Sequence, residues 1–216
     1  MIGVVTGMVA EVAAMGAWAG RPEVQVAVSG ARPAQAEAEA RRLVAEGAEL
    51  LVSWGLAGGL ARDVAAGVVI RPGAVLLPDG TRVELERGMR GDVAIAGSET
   101  VVASVADKAA LRERTGAIAV DMESHLLAQV SLETGVGLVI VRAVSDPWDR
   151  ALPGFVGEAL GPDGRPRIGR VLAGLARRPW ALPDLLAAKR DSDRALIALS
   201  AEADQVFGGL VHRLGH

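Results

Sequence analysis

Residues 117–146 read AIAVDMESHLLAQVSLETGVGLVIVRAVSD. Residues 117–121 are a short apolar run that suits a buried strand, 122–134 read as a helix, and 137–144 are a second apolar strand. Buried strands separated by amphipathic helices predict an α/β fold with a largely parallel or mixed sheet covered on both faces. In open sheets of this kind, ligands sit at the carboxyl ends of the strands. That rule singles out Glu123, just past the first of these strands, and Asp146, at the end of the second. Arg142 lies late in the same second strand. A guanidinium in an apolar strand is costly unless paired, so Arg142 predicts a carboxylate or anion beside it.

The alternation extends in both directions. Residues 2–6 form a strand and 9–18 a helix, which puts Glu11 just past the first strand. Residues 24–29 are a second strand. Pro33 starts a helix that runs to 46 and stops at Gly47. Residues 49–54 are a third strand, ending in the glycine-rich GLAGGL of 55–60. Short strands follow at 67–71, 74–77, 82–85 and 92–96, with Asp79–Gly80 as a hairpin turn, then a helix over 105–114 that stops at Gly116. Beyond Asp146, six prolines (147, 153, 162, 166, 179 and 183) divide the chain into loops and short helices.

Composition narrows the function classes. Of the 216 residues half are hydrophobic but only 3% aromatic, so the core is aliphatic. A net charge of −3 gives no basic field for nucleic acid. With no cysteine, disulfides and thiolate catalysis are excluded and a reducing compartment is permitted; a cytoplasmic location is expected. The three histidines (His125, His212 and His216) have no metal-ligand spacing, so no metal is expected. Residues 1–12 read as a first strand rather than a signal peptide, and no uncharged apolar run is long enough to span a membrane.

Taken singly, the candidate residues are ordinary. An Asp after a strand is usually a turn or cap, Glu123 suits the first turn of a helix, and Glu11 suits a solvated helix. Taken together, GMVAEV (7–12), SG (29–30), WGLAGGL (54–60), AVDMES (119–124) and VRAVSD (141–146) resemble the nucleoside phosphorylase superfamily in order and spacing. The resemblance covers roughly residues 1–150. A narrower one includes the tail: KAALRERTGAIAVDMESH (108–125), SDPWDRALPGFVGEALGPDGRP (145–166) and LARRPWALPDLL (175–186) are similar to the hopanoid-associated phosphorylases. Members of that subfamily are assigned to the removal of adenine from adenosylhopane.

The resemblance implies one three-layer α/β/α domain over 1–216, with a catalytic core over about 1–150 and a Pro/Arg-rich tail. It implies that Asp146 protonates purine N7, that Glu123 holds the ribose hydroxyls beside the Met122 backbone, and that Glu11 activates water. Arg142 would orient Glu11 or the nucleophile. Ser145 and Gly58 would line the substrate site, and the loop 97–101 would pass along the purine. No cofactor is implied beyond phosphate as an alternative co-substrate, and a homo-oligomer is expected.

This sequence departs from the pattern at several positions. Leu56 stands where relatives carry a hydroxyl that contacts the nucleophile, and Ser53 where many phosphorylases carry arginine. Thr100 or Val101 replaces the aromatic that stacks on the purine, leaving Trp54 or a tail residue as substitute. Arg32 is a candidate anion contact or else a loop arginine. Residues 165–186 mix arginines with Ile168, Leu172 and Trp180, which suits either an anionic membrane surface or a helix packed on the core. The alternatives to a hopanoid substrate are a methylthioadenosine/S-adenosylhomocysteine nucleosidase and a catalytically silent nucleoside-binding protein.

Overall fold

The computed structural model describes residues 1–85, 92–154, 161, 163–165 and 167–215. Expectations that fall on Pro162, Pro166 and His216 lie outside the described residues. Among the described residues, nine strands form one mixed sheet. Three parallel strands, β2 (Val24–Val28), β1 (Ile2–Thr6) and β3 (Leu50–Gly59), lie side by side, and β9 (Gly137–Asp146) runs parallel to β3 along most of its length. β8 (Ala119–Asp121) meets β3 antiparallel at Gly58 and Gly59. Beyond it come β7 (Ala94–Gly97), β5 (Ala74–Leu76) and β6 (Arg82–Glu84), while β4 (Val69–Ile70) pairs antiparallel with β9.

Alternation along the strands sends side chains to opposite faces. Val5 and Leu51 join a core with Ala36, Ala40 and Leu43 of α2 (Pro33–Ala45) and Leu127 and Val130 of α4 (Ser124–Thr134). Val4, Val52 and Trp54 face the other way, onto Leu199, Val206 and Phe207. These last belong to α6 (Leu182–Leu214), which follows α5 (Ile168–Arg177). The three-layer α/β/α expectation therefore holds. α1 (Val9–Ala14) is short and passes into a 3-10 turn over Gly16–Gly20, so the helix expected over 9–18 is two pieces. α3 (Val105–Thr115) is capped by the Ser104 hydroxyl, which accepts from Asp107 N at 3.0 Å, and ends at Gly116 with φ 69°.

Three sequence expectations are corrected. The third strand does not end at Trp54, because β3 continues through the glycine-rich stretch to Gly59. The tail is not only loops and short helices. α6 is 33 residues long, and Pro183 sits in its first turn, where a missing N–H costs nothing. β8 and β9 run in opposite directions relative to β3, so Glu123 and Asp146 are not on one parallel edge. Their strands converge instead on Gly58, which pairs with Val120 on one side and Asp146 on the other.

α6 docks through Phe207, which is fully buried with ring centroids 5.0 Å from Trp54 and 6.0 Å from Trp18. Phe207→Ala should lower the unfolding free energy by about 3–5 kcal/mol in denaturant titrations. Ile197→Ala on the same helix, 72% exposed, should change it little.

Candidate active site

The site is built around β3. Gly55 pairs across the sheet with Arg142 on β9. A Cβ at Gly55 would lie 2.5 Å from Arg142 Nη1 and 2.6 Å from Glu11 Oε1, so only glycine leaves room for both groups above the strand. Gly58 is bare for the same reason: its Cβ position lies 3.1 Å from Asp146 Oδ2.

Glu11, in the first turn of α1, is 2% exposed. Its Oε2 accepts from the backbone N–H of Gly7 at 2.7 Å and of Met8 at 2.8 Å, and its Oε1 accepts from Leu56 N at 2.8 Å. The Leu56 side chain packs against the core on the α6 face, so this residue serves the site through its N–H. Burial pushes the Glu11 pKa up, against the Arg142 charge and the three N–H donors.

Arg142 is fully buried. Its Nε lies 2.5 Å from Asp121 Oδ2, and its Nη2 donates to Ser53 Oγ at 2.6 Å and to Glu123 Oε2 at 3.3 Å. The expected partner of a buried arginine is therefore present, and it is Asp121 together with Glu123. Toward Glu11, Arg142 acts through its charge. Ser124 Oγ donates to Asp121 and lies 3.0 Å from Ser53 Oγ. Glu11, Asp121 and Glu123 thus put three carboxylates around one guanidinium. Burial pushes the Glu123 pKa up to about 7; the Arg142 charge opposes this, and the charges of Asp121 and Glu11 add to it.

Asp146 is 5% exposed at the end of β9. Its Oδ1 accepts from the Ser145 hydroxyl at 2.8 Å, and its Oδ2 faces Lys108 Nζ at 2.5 Å. Burial pushes its pKa up, the Lys108 ammonium and the Ser145 hydroxyl oppose this, and the Asp191 charge adds to it. A raised pKa is what a carboxyl acid that works near neutrality requires.

The remaining candidates are more dispersed. Met122 is half-buried beside Glu123, and Thr100 and Val101 are exposed on a loop tied to β8 by Ser98 N donating to Asp121 O at 2.9 Å. Arg32 precedes α2 and is exposed. Trp54 is no purine platform: it is fully buried against Phe207, and its Nε1 donates to the Glu11 carbonyl at 3.1 Å. Sequence reading missed Asp121, Ser124 and Lys108. The buried arginine pointed toward Asp121, which precedes Glu123 by two residues. Lys108 shares a helix face with the buried Leu111, three residues on, a spacing that marks an inward position.

The model of the phosphorylase superfamily matches residues 90–160. Among solved structures, a 5′-methylthioadenosine/S-adenosylhomocysteine nucleosidase of Helicobacter pylori aligns with TM-score 0.70 at 15% identity, over 96% of this chain and 97% of that one. Futalosine hydrolase of the same organism aligns with TM-score 0.67 at 16% identity, over 93% and 94%. The nucleosidase of S. pneumoniae aligns with TM-score 0.61 at 16% identity, over 92% and 97%. No curated protein matches by sequence. The family likeness lies in residues 90–160, and the likeness to these solved structures, which extends along nearly the whole chain, is one of fold.

Proposed function

We propose that the site cleaves the N-glycosidic bond of a purine nucleoside, with water as the nucleophile. One observation carries the reading: Glu11, Glu123 and Asp146 are all buried, with Glu11 and Asp146 over Gly55 and Gly58 of β3 and Glu123 beside Glu11 at Gly7, just past β1. As the bond from C1′ to N9 breaks, its electron pair goes to the purine and the sugar becomes oxocarbenium-like. Asp146 gives its proton to N7, so that a neutral base leaves. Glu123, on the ribose hydroxyls, stabilises the positive charge. Glu11 takes a proton from the attacking water, which restores the balance. Phosphate suits the site poorly, because three carboxylates already outnumber the guanidinium and Arg142 is engaged by Asp121, Glu123 and Ser53.

The finer reading is a 5′-modified adenosine, with adenosylhopane as the substrate that the tail resemblance favours. The structure supplies a physical support. α5 buries none of its residues, with Ile168 69% and Leu172 60% exposed, and Trp180 follows it at 73%. Arg170 and Arg177 lie on the side of the helix opposite Ile168 and Leu172, and Arg178 flanks it. The turn just before it reaches the site: Val9 N donates to Gly164 O at 3.2 Å, and a Cβ on Gly164 would lie 3.1 Å from Gly7 O. An anionic lipid surface satisfies both the charge and the apolar side chains. No helix among the described residues is long and apolar enough to cross a membrane, so the contact proposed is peripheral.

Two experiments test these readings. Adenosylhopane in detergent should release adenine without added phosphate, and Asp146→Asn should lower the rate by about 10²–10⁴-fold. Release from 5′-methylthioadenosine alone would move the substrate to the smaller nucleosides, and no release from folded protein would leave a binding role. In sedimentation with liposomes, the protein should bind phosphatidylglycerol vesicles more than phosphatidylcholine ones. R177E/R178E should abolish the difference, whereas equal binding by wild type would contradict the membrane reading.

A further inference from the structure

Lys108 is one of two lysines in the chain, against 21 arginines. It is fully buried, and its Nζ touches four oxygens: Asp146 Oδ2 at 2.5 Å, Asp146 O at 3.2 Å, and the carbonyls of Pro147 and Arg150, both at 3.0 Å. Such a shell calls for a compact ammonium. A neutral amine would turn its lone pair on an oxygen, and a planar guanidinium does not fit a closed cage of acceptors. With its N–H groups taken up by these acceptors, Lys108 has none to offer a ligand.

We propose that Lys108 is the positioning residue of the acid: its ammonium holds Asp146 Oδ2 as the unprotonated, accepting oxygen, so the catalytic proton resides on Oδ1, beside Ser145. This rests on the assignment of Asp146 as the acid. The same ammonium ties α3 to the turn that follows β9, through the carbonyls of residues 146, 147 and 150. That turn is held from a second side as well. The Arg150 side chain lies 2.9 Å from Asp191 of α6, which is also 3.7 Å from Arg194. Lys108, Asp191, Arg150 and Arg194 are the charged groups of α3, α6 and the turn arranged around Asp146, and Lys108 is the one in direct contact with its carboxyl.

The sign of the effect follows from the charge. Asp146 works protonated, so activity falls as pH rises through its titration. The ammonium favours the ionised form. Removing it should therefore carry the alkaline limb of kcat/KM, and the titration itself, to higher pH. A lysine that only supported the fold would change stability and leave the limb in place.

The test uses K108M and K108Q, the second keeping N–H donors for the turn without the charge. The titration of Asp146 is read by carboxyl 13C NMR, with its signal identified by its loss in D146N. This readout stands whether or not any nucleoside is cleaved. The expected result is a titration at higher pH in each variant that folds. With 5′-methylthioadenosine or adenosylhopane as substrate, the alkaline limb should move the same way and kcat should fall on the order of 10- to 100-fold. An unmoved titration in folded K108Q would overturn the proposal. A moved titration in protein that cleaves no nucleoside would sustain the electrostatic coupling but overturn the assignment of a catalytic proton.

Discussion

The buried guanidinium of Arg142 is the constraint on which the rest of the site depends. A charge sealed inside a sheet must be paired, and the chain supplies Asp121 and Glu123 from β8 and the turn after it. Those two carboxylates and Glu11 would repel one another without the guanidinium. With it they are held together in a space from which water is largely excluded. Burial first, and then the charges of Asp121 and Glu11, push the Glu123 pKa up to about 7 against the pull of Arg142. The site is thus set to meet a ligand that becomes positively charged, and this matches a sugar losing its base.

The backbone makes this crowding feasible. Arg142 and Asp146 are four residues apart on β9, and each faces a glycine of β3, Gly55 and Gly58. Glu11 reaches the same space from α1, fixed by three N–H groups from two separate segments. β3 is therefore the floor of the site, and α6 is its brace: Trp54, beside Gly55 on β3, is clamped by Phe207 and bonded to the Glu11 carbonyl. The long tail helix thus stands one residue from the catalytic floor.

Much of this was legible in the sequence, for physical reasons. Alternating apolar strands and amphipathic helices gave the layers, and the strand-end rule gave Glu11, Glu123 and Asp146. Arg142 announced its own pairing, because a buried charge leaves few options. The failures have causes too. GLAGGL looked like the end of the third strand because glycine is a local breaker, whereas here it answers a need for space that only the folded sheet creates. Six prolines hid a 33-residue helix, since Pro183 at the first turn starts a helix and does not break one. Trp54 looked available as a platform until the alternation of β3 turned it to the α6 face. Lys108 was not singled out, because its four oxygen partners come from a turn 38 to 42 residues away.

The central claim is that the carboxylates stabilise a cationic sugar. The direct measurement compares the dissociation constants of two adenine-like ligands, one with a neutral ribose and one with a protonated pyrrolidine in its place. The account predicts that the cation binds at least about 10²-fold more tightly, as transition-state mimics do. Equal binding of the two would contradict it, because carboxylates that do not distinguish a cation from a neutral sugar cannot lower the barrier in this way.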